Sequence, residues 1–138
     1  MPAAHPPKTP EMEQLHRRLN TAHGALLRVH KAALDHERVR YERVHRPVNG
    51  PLEFLKLALN DPWFAWLRPM SELIVQIDEF VSSKEPTELR QGEALLNQAR
   101  DLLTPGETGS AFAREYHRAV TESPEVAMAH GDWRRVIA

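Results

Sequence analysis

From Glu11 to His45 the chain runs for about 35 residues without a proline, with apolar side chains recurring at helical spacing. One continuous helix of that length spans roughly 50 Å at 1.5 Å per residue, so the rest of the chain has to be laid along it. Met12, Leu15, Leu19, Leu26, Leu27, Leu34, Tyr41 and Val44 are expected on its apolar face, and Arg17, Arg18, Arg28, Asp35 and Arg43 away from it. The stretch Arg46-Pro47-Val48-Asn49-Gly50-Pro51 ends the helix.

The following punctuation predicts further helices. Leu52 to Leu59 reads as a short helix, apolar almost all round apart from Glu53 and Lys56, and is expected to be a buried plug. Asp61-Pro62 combines an N-cap with a first-turn proline and opens a third helix running to about Ser82. Its stripe includes Trp63, Trp66, Leu67, Met70, Leu73, Ile74, Ile77 and Phe80, and Pro69 within it predicts a kink or break near Arg68. A fourth helix is expected from about Pro86 to Thr104, with Gly92 on its inner face for close helix approach. A final helix opens near Ser110. Ser123-Pro124 starts a short one that Gly131 ends, leaving residues 132–137 as a tail docked by Trp133.

The fold expected is therefore all-α: an up-and-down four-helix bundle over residues 11–138, with one short extra helix near 52–59 and a proline-kinked third helix. Residues 1–10 carry four prolines and no apolar core, so a flexible lead-in is expected there, with neither signal peptide nor anchor.

Composition narrows the function classes. A formal charge of −1, from 18 basic and 19 acidic residues, provides no field to gather nucleic acid or an anionic membrane. No apolar run approaches membrane-spanning length, and a cytoplasmic location is expected. With no cysteine, thiol catalysis, disulfides and zinc–thiolate sites are excluded. Zinc-protease, phosphate-loop and serine-elbow motifs are absent.

One pattern invites chemistry. His16, His23 and His30 recur every seven residues on the first helix, in the middle of its expected apolar face, and Glu37 takes the next place. Seven residues rise about 10.5 Å, whereas donors sharing one ion lie within a few ångströms, so other helices would have to complete any site. A metal set of His23, His30, Glu37 and Asp78 is one reading. Imidazole and carboxylate donors together suit zinc, iron or nickel. A proton-sensitive switch is another. In the third, the histidines are interior polar groups hydrogen-bonded by Ser71, Asp78 or Tyr116, which fixes bundle register without a cofactor.

Glu13-x-x-His16 and Glu42-x-x-His45 match the spacing used by di-iron bundles, but both lie on one helix. The charged run from Asp35 to Arg40 reads as a solvated, salt-bridged face. Phe64 and Val75 fall on the shoulder of the third helix opposite Trp66, where they are expected to face a second subunit. The sequence thus points to a non-enzymatic interaction or regulatory module that pairs with a protein partner or with itself as a homodimer, with a metal- or small-ligand-binding bundle as the alternative.

Overall fold

The computed structural model describes residues 9–138, so the proline-rich lead-in lies almost wholly outside the described residues. The chain is all-α. Among the described residues six α-helices and one 3-10 segment follow in order: α1 Pro10–Val44, α2 Gly50–Asn60, the 3-10 segment Pro62–Leu67, α3 Arg68–Ser82, α4 Leu89–Leu102, α5 Ala111–Glu122 and α6 Pro124–Ile137. They stand where a bundle of four principal helices was expected, with short helices near 52–59 and after Ser123-Pro124. No helix among the described residues is long and apolar enough to cross a membrane.

Side-chain caps set most of the helix starts. The Thr9 hydroxyl accepts from the Met12 N–H at 3.1 Å and Pro10 occupies the first turn, so α1 opens with its orphan donors partly satisfied. Asp61, Ser110 and Ser123 do the same for the 3-10 segment, α5 and α6. Glu88 and Gln91 form a reciprocal capping box at α4.

The buried seam of α1 runs through Leu15, Leu19, Ala22, Leu26, Val29, Ala33, Glu37 and Tyr41, three or four residues apart. This is rotated from the face expected. Leu27 and Val44 are exposed, and alanines take core positions instead. Small side chains let neighbouring helices lie close, and α6, α3 and α4 all pack along α1. Their shared core joins that seam to Met70, Ile77, Leu96, Tyr116, Val126 and Trp133.

Gly92 shows how close the approach is. A Cβ placed there would sit 2.6 Å from Leu15 Cδ2 and 2.9 Å from the Phe80 ring. Both neighbours are buried and cannot swing into solvent. Gly92→Ala is therefore expected to destabilise by about 1 kcal/mol net, the overpacking cost of about 1–3 kcal/mol outweighing a helix-propensity gain of about 1 kcal/mol. Urea denaturation with an unchanged m-value would measure it, and a more stable variant would show that the α1–α3–α4 contact yields freely.

Three expectations change. The break expected near Arg68 is there, but the residues before it, Pro62–Leu67, form a 3-10 segment and not the first turns of a single third helix, and Pro69 sits in the first turn of a new α-helix. Residues 132–137 are helical, because burying Trp133 offsets the modest cost of Gly131 inside α6. The third concerns α2, which is not a buried plug. It has no buried residue, and Leu52, Leu55 and Leu59 are 65%, 54% and 62% exposed. A helix apolar on all sides has core on only one of them here: Phe54 and Leu57 rest on a small cluster of Tyr41, Val48 and Phe64.

Candidate functional site

The histidine series of α1 runs along the flank of the seam rather than its centre. His16 is buried with its ring 5.6 Å from that of Phe80, whereas His23 and His30 are half-buried. Burial lowers the pKa of His30 and favours its neutral form. Asp78 is exposed. Ser71 donates to the Arg68 carbonyl at 3.0 Å, and the Tyr116 hydroxyl lies 2.6 Å from His130 Nδ1. Neither is engaged with His23 or His30. Among the described residues no three His, Asp or Glu side chains are grouped to hold a metal ion, and His23, His30, Glu37 and Asp78 are not gathered into one site.

Glu37 has a different role. It is fully buried, and both carboxylate oxygens are taken: Oε1 accepts from Arg118 of α5, and Oε2 from Arg40 Nη1 at 2.7 Å. Arg118 continues the chain of charges to Glu115 at 3.0 Å and Glu122 at 2.7 Å, and His36 Nε2 lies 3.0 Å from the same Glu122 oxygen. The 3-10 segment closes over the cluster. The Arg40 guanidinium lies 5.0 Å from the Trp63 ring centre and that of Arg118 lies 5.8 Å from Trp66, while Trp63 Nε1 donates to the Glu37 carbonyl at 3.2 Å. Burial alone would lower the Arg118 pKa, but hydrogen bonds and charge from Glu37, with Glu115 and Glu122, hold it above its ordinary value. The cluster ties α1, α5 and the 3-10 segment together, each charge satisfied by another.

The hydrogen bond from His36 holds the Glu122 carboxyl below its ordinary range, against the effect of burial, and Arg118 and Arg40 add to the lowering. A depressed folded-state value means that the unfolded chain binds the proton first. The stabilisation is then complete above the ordinary carboxylate pKa and is lost as pH falls through the folded value. Glu122 is 42% exposed, so solvent screening keeps the effect small. Thermal melts between about pH 3 and 6 are expected to fall less steeply for Glu122→Gln than for the native chain. Identical slopes would show that this carboxyl carries no acid sensitivity.

The second feature is the surface around α2. Two clefts flank the helix. One, of about 340 Å³, is lined by Leu34, Arg38, Phe54 and Leu55, and the other, of about 200 Å³, by His30, Leu34, Leu59 and Ser71. Leu27 and Val75, both exposed, lie one helical turn beyond His30 and Ser71 on their own helices. Val75 is thus available to a partner. Phe64 is not: only 2% exposed, it is buried in the chain's own cluster with Tyr41 and Val48, because the 3-10 geometry turns its ring inward.

Sequence reasoning missed the cross-helix pairing of Glu37 with Arg118. A signal was present in Glu115-x-x-Arg118-x-x-x-Glu122, whose spacing places three charges on one helix face. Compared with protein-family models, with curated proteins and with solved structures, the chain matches none.

Proposed function

We propose that the protein is a cytoplasmic, non-enzymatic interaction or regulatory module that self-associates through α2. In this reading α1, α3, α4 and α6 are the four principal helices of the bundle, and α2 is its docking element. The supporting observation is that α2, the most apolar α-helix of the chain, buries none of its residues and presents Leu52, Leu55 and Leu59 outward. Monomeric surfaces rarely expose a contiguous apolar ridge unless something covers it.

The ridge suits a second copy of the same chain. Leu52 and Leu59 lie three and four residues from the centre of α2, so two antiparallel copies crossing between residues 55 and 56 would set each Leu52 opposite the other copy's Leu59, as a two-fold interface requires. The charges nearby are compatible. Glu53 is paired with Arg46 and accepts from the Asn49 N–H at 3.0 Å, while the exposed Lys56, one turn after Leu52, can lay its stem along the ridge and keep its ammonium in water. The non-enzymatic part is supported by the polar cluster around Glu37, whose charges are committed to one another. Light scattering and sedimentation from micromolar to millimolar concentration are expected to show a reversible dimer. A strict monomer throughout that range would defeat self-association, and turnover in an unbiased metabolite screen would defeat the non-enzymatic reading.

A further inference from the structure

A third cleft, sharing no lining residue with the α2 surface, opens between the end of α4 and α6 and has a volume of about 440 Å³. Arg100 and Thr104 face it from α4 and the turn after it, and His130 and Arg134, one helical turn apart, face it from α6. Pro105 and Ile137 supply half-buried apolar wall. The volume falls within the range of small-molecule sites.

Three features suit the cleft to an anion. First, Arg100 is held in place: Nη1 donates to Asn97 Oδ1 at 2.8 Å, and Nε and Nη2 reach the Ile137 carbonyl at 3.4 and 3.3 Å. Second, neither Arg100 nor Arg134 has a carboxylate within ion-pair distance among the described residues, whereas Arg40 and Arg118 each have at least one. Third, the tautomer of His130 is set from below. The Tyr116 hydroxyl is fully buried and reaches Nδ1 at 2.6 Å. Burial raises the phenol's pKa, keeping its proton on, and burial together with Arg134 lowers that of His130, keeping the ring neutral. The buried phenol has no second hydrogen-bond partner among the described residues, so its proton goes to Nδ1 and the ring's own proton resides on Nε2. A neutral donor and two guanidinium groups then line one opening.

We propose that this cleft binds a small organic anion, its compact oxyanion head held by Arg134, Arg100 and the His130 Nε2–H, and its flat apolar body against Pro105 and Ile137. Carboxylate and phosphate heads share this chemistry, since both accept paired hydrogen bonds from guanidinium groups. The site is independent of self-association, which is read out at α2.

An NMR titration of the full chain separates the possibilities. Benzoate, phenyl phosphate and neutral benzyl alcohol serve as probes, and the His130 ring and Trp133 indole resonances as reporters. Saturable 1:1 shifts with benzoate, phenyl phosphate or both are expected, and the tighter of the two identifies the preferred head. Benzyl alcohol should give none. Arg134 is exposed and makes no ion pair, so Arg134→Gln should preserve the fold, as its unchanged melting temperature would confirm, while weakening the anion at least about tenfold. Absence of saturation by either anion, equal binding of benzyl alcohol, or undiminished affinity in Arg134→Gln would each overturn the assignment.

Discussion

Replacing Glu37 by alanine is expected to lower the unfolding free energy by about 3–5 kcal/mol, the range seen when one partner is removed from a buried ion pair. The loss has two sources. Arg118 and Arg40 both lose a fully buried acceptor, and Arg118, with a side chain only 22% exposed, remains partly desolvated against Glu115 and Glu122 alone. Truncation also opens a cavity in the α1 seam where no solvent reaches. Glu37→Gln keeps the shape and one acceptor, so it should fall between the native chain and alanine. The informative comparison is the cycle with Arg118→Ala. If the two groups stabilise chiefly through each other, the double variant will lose less than the sum of the singles by about 1–3 kcal/mol. Urea titrations of all four proteins give that coupling directly, and strict additivity would mean that Glu37 acts through packing and Arg40 and not through Arg118. An apolar exchange of the pair, Glu37→Leu with Arg118→Met, should recover much of the stability, since the expense lies in leaving one charge unpaired.

The helices were legible because their ends are written locally. Asp61-Pro62, Ser110 and Ser123-Pro124 each combine a capping oxygen with the residue types that begin a helix, and each cap is made. What adjacent residues do not encode is the rotation of a helix about its axis. On α1 the leucines at 27 and 34 pulled the expected face away from Ala22 and Ala33, which carry little hydrophobic weight yet sit where neighbouring helices come closest. The same error of phase put the histidines in the middle of the core. Glu37 reads as the fourth place in their series and as part of a solvated charged run, yet it is fully buried; its true partner is 81 residues distant, and the spacing around Arg118 marks a charged helix face without saying what that face meets. For α2 the composition announced an apolar helix, but a sequence apolar on every side does not say which side finds a core. Gly92 was the reverse case. A glycine on an otherwise leucine-lined face has few uses besides close approach, and the distances to Leu15 and Phe80 agree.

The outward face of α2 leads to the prediction with the largest effect on assembly. Leu55→Asp is expected to weaken self-association by more than about a hundredfold, or about 3 kcal/mol, while moving the monomer's melting temperature by no more than about 2 °C. Leu55 is already more than half exposed, so the monomer has little to lose from the substitution. In the dimer each copy forfeits the burial of a half-exposed leucine, about 1 kcal/mol, and two-fold symmetry counts that loss twice. The two new carboxylates also face each other near the axis, adding like-charge repulsion and the cost of desolvating both. Leu52→Asp, further from the axis and 65% exposed, should weaken the dimer less, because its charges are not directly opposed. Met128→Asp is the control: at 71% exposed on α6 it is the most exposed large apolar side chain among the described residues, so an effect equal to that of Leu55→Asp would place the interface elsewhere or reveal unspecific hydrophobic association. Sedimentation velocity on the three variants at matched concentrations orders them, and the sequence expected from strongest to weakest disruption is Leu55→Asp, Leu52→Asp, Met128→Asp.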